Sequence, residues 1–255
     1  LASYFTRRYD EVRGKKFSAA KPFIVMGVLG VFLLAQPDLG STVVLFVITF
    51  GMLFIVGANF WQFILLIGTG ILLFVWLVLS ASYRLKRFTG FLEPFKDPYG
   101  TGFQLTNSLM AFGRGEISGE GLGNSIQKLD YLPEAHTDFI MAIIGEEFGF
   151  IGILVVVILL GLLIFRAMKI GRESLMLEQR FRGFFALGIS FWIFFQGFVN
   201  LGMALGMLPT KGLTFPLVSY GGSSIIIMSA TVGILLRIDH ENRLQRGGQA
   251  RLRDD

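Results

Sequence analysis

The chain has 255 residues, of which 53% are hydrophobic and 16% charged, and its mean hydropathy is +0.64. Because the apolar residues are gathered in long runs, this composition excludes an ordinary soluble domain and predicts a polytopic membrane protein. The absence of cysteine excludes disulfides and zinc thiolate sites. The formal net charge of +5 comes from Lys and Arg residues beside apolar runs, which is typical of membrane orientation signals and not of nucleic-acid binding.

The first part of the chain predicts a basic surface segment followed by three membrane spans. Residues 1–21 are basic and partly amphipathic, and we expect them on the cytoplasmic surface. Pro37 cannot continue a helix, and we expect the Asp38 side chain to cap the next helix rather than to act in catalysis. The apolar runs predict spans at 22–35, 41–56 and 60–79.

A long polar segment, residues 81–138, follows the third span and is rich in glycine, charge and turn residues. Loops of this length without structure are uncommon, so we expect the segment to contain short helices and to carry function. Residues 104–112 have the spacing of a short amphipathic helix, which predicts a helix lying on the membrane surface.

The remaining sequence predicts three further spans, and the distribution of Lys and Arg predicts their orientation. Basic residues at both termini and between 166 and 182 indicate that these regions lie in the cytoplasm, which would leave 81–138 and the loop around Lys211 on the periplasmic face. The fold class is therefore an all-α integral membrane protein with about six transmembrane helices and one long extracytoplasmic loop, in a single membrane domain over residues 1–255. The later spans are predicted at 139–165, about 183–207 and 225–236, the last beginning a turn earlier. Because the chain opens at Leu1 in mid-pattern, we expect it to be part of a longer protein.

Asp138 stands where the polar segment meets a membrane-depth apolar run. It lies two residues after His136 and four after Glu134, so two acids and an imidazole fall within about one helical turn. This group suits proton transfer, metal binding or phosphate handling. The structural alternative is that Asp138 only caps the fourth span. For His136 a hydrogen bond that orders the loop is favoured over metal binding.

Glu146 and Glu147 lie about 12 Å further along the fourth span, at the rise of an α-helix. Carboxylates at this depth are costly unless they are paired, neutral or in contact with water. We therefore expect a structural role for both, with partners contributed by residues outside this chain.

Several longer motifs, taken in order, resemble the SEDS family (shape, elongation, division and sporulation) of bacterial membrane proteins, and PEAHTD and PTKGL are more similar to its cell-division branch than to its elongation branch. Members of the family have about ten spans, so the chain is similar to their last six or so. The motifs are QPDLG at 36–40, AFGRG at 111–115, GLGNS at 121–125, LPEAHTDF at 132–139, GEE at 145–147, PTKGL at 209–213 and SYGGSS at 219–224.

The resemblance implies a peptidoglycan glycosyltransferase that polymerises lipid II into glycan strands during cell division, with inversion at the sugar and a polyprenyl diphosphate as leaving group. Its implied location is the bacterial cytoplasmic membrane at the division septum, and its implied partners are lipid II, the glycan strand, an FtsI-like class B penicillin-binding protein and other division proteins. A flippase of the lipid-linked precursor would place its acids near the membrane centre. A non-catalytic scaffold, the other alternative, would not need Asp138.

The same resemblance implies that Asp138 is the base for the 4-hydroxyl of the acceptor sugar, or instead the ligand of a divalent cation such as Mg²⁺ or Mn²⁺. Lys211 would then neutralise the pyrophosphate, with an interfacial lysine as the alternative. The residue types add three candidates for substrate binding. Ser223 and Ser224 follow two glycines and either hold an anion at a helix N-terminus or cap the last span. Arg114 lies between glycines and either contacts the substrate or is a solvated loop arginine.

Overall fold

The computed structural model describes residues 1–14, 20–36, 38–58, 60–80, 90–210 and 212–254, without the side chains of residues 20, 62, 74, 130 and 248–254. Over these residues all regular structure is helical, which confirms the all-α prediction. A 3₁₀ turn at Pro94–Lys96 and a π turn at Gln127–Tyr131 add to the longer elements. The α-helices are α1 Ala2–Arg7, α2 Tyr9–Gly14, α3 Ala20–Ala35, α4 Leu39–Val56, α5 Phe60–Leu79, α6 Phe103–Gly115, α7 Ile140–Met176, α8 Arg180–Ala204 and α9 Gly222–Asp254.

Four of the described helices are long and apolar enough to cross a membrane, namely α4, α7, α8 and the Gly222–Gly247 part of α9. Shorter apolar stretches, Lys21–Ala35 and Phe63–Leu79, lie in α3 and α5. A multi-pass membrane protein is thus supported, whereas the predicted number of six spans is not confirmed. The N-terminus of α4 is capped as predicted, because the Asp38 carboxylate accepts a hydrogen bond from the Ser41 N–H at 2.9 Å.

The chain divides into two compact units, and the prediction of a single membrane domain stays a prediction. The first unit comprises residues 1–67, 162–195 and 226–255. Its core contains Phe5 and Val12 from α1 and α2, both completely buried against Met52, Leu53 and Phe184. Burial of these two large side chains stabilises the packed arrangement of the N-terminal segment, while its location on the cytoplasmic surface stays a prediction.

The charged tail after the last apolar run is helical, because α9 continues to Asp254. Within the first unit its polar side chains bond to α7: Arg166 pairs with Asp239 at 3.2 Å, and the buried Asn242 amide donates to the Ser174 hydroxyl at 2.9 Å. A further ion pair one turn apart, Arg237 with Glu241, supports the helix. Tertiary bonds therefore order a segment that hydropathy alone describes only as a polar tail.

The second unit comprises residues 68–161 and 196–225. Helix α6 appears close to where an amphipathic helix was expected, and several of its polar residues are buried and bonded within the protein, whereas its location on the membrane surface stays a prediction. Ser108 donates to the Ala204 carbonyl at 2.8 Å, and the Asn107 amide donates to the Tyr131 carbonyl at 3.1 Å. The core of this unit contains Ala111, Leu132, Ala135, Phe139, Ala142, Ile143 and Ala204.

Helix α7 is broken at Gly149, whose φ of 64° and ψ of −163° are not helical. A break leaves carbonyls before it and N–H groups after it without partners in the helix. The segment after α6 supplies them: Glu120 N donates to the Glu146 carbonyl at 3.0 Å, and Phe150 N donates to the Glu116 carbonyl at 2.9 Å. A Cβ at Gly149 would collide with the backbone of the 117–119 segment, so the close approach requires glycine here.

Candidate active site

Asp138 lies in a run of turns that leads into α7. The Glu134 carbonyl accepts hydrogen bonds from the N–H groups of Thr137 at 3.2 Å, Asp138 at 3.0 Å and Phe139 at 3.2 Å. Buried Ala135 and Phe139 anchor these turns in the core. The apolar residues thus fix the backbone on both sides of Asp138, while the carboxyl itself remains partly exposed.

The Asp138 carboxylate does not cap α7. The helix begins at Ile140, two residues later, and within the described part of the chain no N–H group donates a hydrogen bond to the Asp138 side chain. The capping alternative therefore does not account for a carboxylate at this position, unlike Asp38 at the start of α4.

Burial raises the pKa of Asp138 to about 6, and the negative charge of Glu134 adds to this shift. Both causes act in the same direction, because a desolvated carboxylate and a carboxylate beside a like charge each hold their proton more strongly. A carboxylate with a pKa near 6 is still mostly ionised at neutral pH and is a stronger base than an ordinary aspartate. These are the properties required of a general base.

A second loop, between α8 and α9, meets the Asp138 turns. The Tyr220 N–H donates to the His136 carbonyl at 2.9 Å. A Cβ built on Gly212 would lie 3.2 Å from Asp138 Oδ2, so the glycine leaves room for the carboxylate. From α8, the Asn200 amide donates both to the Asp138 carbonyl at 2.8 Å and to the Leu213 carbonyl at 2.5 Å. The predicted acid and the loop that carries the PTKGL motif are therefore neighbours.

Lys211, the predicted cation, lies outside the described residues. Its chain neighbour Gly212 stands against Asp138 Oδ2. Binding of pyrophosphate by the Lys211 ammonium therefore stays a prediction.

Ser223 and Ser224 both lie in the first turn of α9, which begins at Gly222, so neither occupies the capping position. The Ser224 hydroxyl is 3.1 Å from the Thr214 hydroxyl, and the Gln196 amide donates to the Thr214 carbonyl at 2.8 Å. Ser223 is exposed. Ser224 is therefore tied to the loop beside Asp138, and an anion-binding role for both serines stays a prediction.

Arg114 belongs to a different group of charges. Its guanidinium pairs with Glu146 at 3.2 Å and with Glu120 at 3.7 Å. Glu146 is completely buried and accepts further hydrogen bonds from the Ser125 hydroxyl and from the N–H groups of Ile126 and Gln127, at 3.1 and 3.2 Å. Within the described residues no hydrogen bond or ion pair links this group to Asp138.

The neighbouring Glu147 pairs with Lys128 at 2.6 Å. The structural role expected for both glutamates is thus supported, but the expected source of their partners is wrong. Arg114, Ser125 and Lys128 all come from the 81–138 segment of this chain, which folds back onto the break in α7.

No group of three or more His, Asp or Glu side chains suitable for a metal ion occurs among the residues that the structure describes. The His136 side chain is exposed, and its ordering contact is made by the backbone carbonyl. Asp138 and Glu134 are the neighbouring carboxylates whose charges interact. Mg²⁺ is commonly held by one or two carboxylates together with substrate phosphates, and a cation that arrives with its substrate stays a prediction for this pair.

Two amides and one glycine of the site were not singled out from the sequence. Asn200 and Gln196 are four residues apart in an apolar span, where polar side chains are costly and usually functional. Their spacing places them on one face of α8. That signal was available in the sequence, whereas the proximity of Gly212 to Asp138 was not.

Comparisons with known proteins give a consistent result. The family model described as "Cell cycle protein", FTSW_RODA_SPOVE, matches residues 1–244. The probable peptidoglycan glycosyltransferase FtsW of Pasteurella multocida is 84% identical over 255 residues, and the protein of the same name from Haemophilus influenzae is 87% identical over 255 residues. Each alignment covers 100% of this chain, but 64% and 65% of those proteins, so the chain spans just under two thirds of their length.

Two solved structures share the fold. A chain from a peptidoglycan synthase complex, studied for the coordination of polymerization and crosslinking, superposes with a TM-score of 0.71 at 28% identity, covering 89% of this chain and 63% of that one. The rod shape determining protein RodA of Thermus thermophilus gives a TM-score of 0.59 at 25% identity, covering 94% of this chain and 64% of that one. The matched regions thus extend over most of the present chain.

Proposed function

Since the chain belongs to the FTSW_RODA_SPOVE family of cell cycle proteins, we propose that it forms the catalytic part of a peptidoglycan glycosyltransferase that polymerises lipid II during cell division. The observation that carries the proposal is the Asp138 carboxylate. It is partly buried, has a pKa raised to about 6, and stands against the Gly212 loop. A base of this kind at the start of an apolar helix suits a substrate with a polar sugar and a lipid tail.

In the proposed step Asp138 takes the proton from the 4-hydroxyl of the acceptor sugar. The hydroxyl oxygen forms a bond to the anomeric carbon of the donor sugar, and the bond from that carbon to the diphosphate oxygen breaks with inversion. The polyprenyl diphosphate leaves with the electron pair. Lys211 neutralises its charge, while the backbone around Ser223 and Ser224 contributes N–H groups at a helix N-terminus.

Arg114 has the weakest support as a direct substrate contact, because Glu146 and Glu120 already pair with it. The alternative to general-base catalysis is that Asp138, together with Glu134, instead holds a divalent cation such as Mg²⁺ or Mn²⁺ that arrives with the substrate pyrophosphate. When bound, such an ion would supply charge neutralisation at the leaving group.

The test is polymerisation of purified lipid II by the full-length protein with its class B penicillin-binding partner. Asp138→Asn keeps the size of the side chain and removes its charge. Because general-base catalysis contributes about 10²–10⁴-fold, the variant should lose activity by that factor while it still binds its partner. Asp38→Asn is the matched control, since asparagine also caps helices and Asp38 serves α4.

Each rival function predicts a different result. A scaffold predicts native glycan synthesis in the Asp138→Asn complex. A flippase predicts that the variant loses transport of lipid II across vesicles but keeps polymerisation of lipid II supplied on the outer face. Either outcome would contradict the proposed activity.

We also propose that residues 81–138 and 208–222 face the periplasm at the division septum, with 1–16, 166–182 and 237–255 in the cytoplasm. The chain has no cysteine, so single cysteines report accessibility directly. Met176 is 65% exposed and is a suitable position. A cysteine that replaces Met176 should not react with an impermeant thiol reagent in intact spheroplasts but should react after lysis. A cysteine that replaces exposed Tyr99 should react before and after lysis. Labelling of the cysteine at position 176 in intact spheroplasts would refute the orientation.

A further inference from the structure

Asn200 joins the two loops of the candidate site through one side chain. Its amide nitrogen donates to the Asp138 carbonyl at 2.8 Å and to the Leu213 carbonyl at 2.5 Å. The side chain is completely buried in α8. An asparagine amide carries two N–H donors, so one residue can hold two carbonyls at the same time.

A second amide, Gln196, lies one turn earlier on the same face of α8. It donates to the Thr214 carbonyl at 2.8 Å and to the Thr214 hydroxyl at 3.2 Å. Gln196 therefore holds the loop between α8 and α9. Among the described residues, Asn200 differs from Gln196 in that it is also bonded to the residue that bears the proposed base.

The bonds of Asn200 act close to the reacting group. Leu213 directly follows Gly212, and a Cβ on Gly212 would lie 3.2 Å from Asp138 Oδ2. The backbones of Asp138 and Leu213 are thus both bonded to the amide of Asn200. Errors of about 1 Å in such positions can cost about a hundredfold in rate.

We propose that Asn200 is a positioning residue that sets the distance between Asp138 and the Gly212–Leu213 backbone. This inference rests on the proposed function. Asn200 acts through the two carbonyls that it holds, and it is not assigned a contact with the sugar or the diphosphate. Buried polar side chains that are bonded in this way restrict a site to a single arrangement.

The experiment uses the full-length protein with its penicillin-binding partner and measures kcat and KM for lipid II. Asn200→Leu keeps a similar volume and removes both donors. We expect kcat to fall by about a hundredfold per mole of folded complex, with KM changed by less than about threefold, because substrate contacts are retained. The acid limb of the pH profile should keep its midpoint, since neither cause of the raised pKa of Asp138 involves Asn200.

Gln196→Leu is the matched control, because it removes the amide donors of a side chain one turn away on the same helix. Its kcat should fall by less than about tenfold, because the Asp138 backbone keeps its bond. Asn200→Gln retains the amide on a longer side chain and should recover part of the activity. If Asn200→Leu does not accumulate as a folded complex, the same ranking is measured with Asn200→Gln and Asn200→Ser.

Three outcomes would overturn the inference: native kcat in the folded Asn200 variants, equal losses in the Asn200→Leu and Gln196→Leu variants, or an increase in KM that accounts for the whole loss. Asp138→Asn is measured alongside. If that variant is inactive and Asn200→Leu is native, only the positioning role fails, whereas an active Asp138→Asn variant removes the proposed function itself.

Discussion

Asp138 and Glu146 are two carboxylates of the same compact unit in opposite surroundings. Glu146 is completely buried and receives hydrogen bonds from the Ser125 hydroxyl, two backbone N–H groups and Arg114. Asp138 is partly buried and lies near another carboxylate, and its own carboxylate accepts no hydrogen bond from the residues that the structure describes.

The difference separates structural from chemical use of the same functional group. A carboxylate surrounded by hydrogen-bond donors fixes the groups around it. A desolvated carboxylate beside a like charge has a raised pKa and an available lone pair. Glu146 therefore secures the 116–131 segment against the break in α7, whereas none of the described residues donates a hydrogen bond to the Asp138 carboxylate, which suits it to accept a proton.

The largest expected effect distinguishes these two roles directly. Asp138→Asn should lower polymerisation by about 10²–10⁴-fold with little change in the amount of folded protein. Glu146→Ala should do the reverse, because it leaves the Ser125, Ile126 and Gln127 donors without their acceptor, and each buried donor left unsatisfied costs about 1–3 kcal/mol of stability. Thermal unfolding in detergent and lipid II polymerisation, measured on the same preparations, provide the comparison. Equal losses of stability in the two variants would remove the distinction.

The next effect concerns the proposed cation. Lys211→Ala should reduce kcat by about a hundredfold, equivalent to about 3 kcal/mol of transition-state stabilisation. Lys211→Arg should retain some activity because it keeps the charge. Lys96→Ala is a suitable control, since Lys96 pairs with Glu93 in an exposed part of the 81–138 segment. Native kcat in Lys211→Ala at equal expression would exclude the lysine from the site.

The smallest effect is a shift of the pH profile. Because the pKa of Asp138 is raised to about 6, activity should fall as the pH drops through this value. Glu134→Gln removes one of the two causes and should move this midpoint to lower pH, while burial keeps it above the ordinary value of 3.8. Glu93→Gln, at an exposed glutamate, should leave the midpoint in place.

The raised pKa of Asp138 also means that its ionised carboxylate lowers the stability of the folded protein. A carboxyl whose folded-state pKa is raised destabilises the fold when it is ionised, so the cost is present in full above pH about 6 and is lost as the pH falls towards 3.8. Asp138→Asn should therefore unfold at the same temperature as the native protein, or a higher one, at pH 7.5. A clear loss of stability in this variant would indicate that the carboxylate is bonded in the fold.

The sequence alone determined the fold class, most helix positions and the location of the candidate base. Apolar runs, Pro37 and Asp38 are local signals, and α5 spans the predicted residues 60–79. The position of Asp138 between a polar segment and an apolar run is likewise visible without any tertiary contact. These features could be predicted because hydropathy, helix capping and proline geometry act within a few residues.

Only the tertiary structure decided which side chains are structural and which remain available for chemistry. The donors to Glu146 come from about 20–30 residues away along the chain, and Asn200 bonds to Asp138 across 62 positions. The break at Gly149 also depends on the backbone of the 116–121 segment lying beside it. Such pairings depend on close packing between segments distant in sequence, and a pattern of apolar and polar residues within one span carries no record of which distant backbone will meet it.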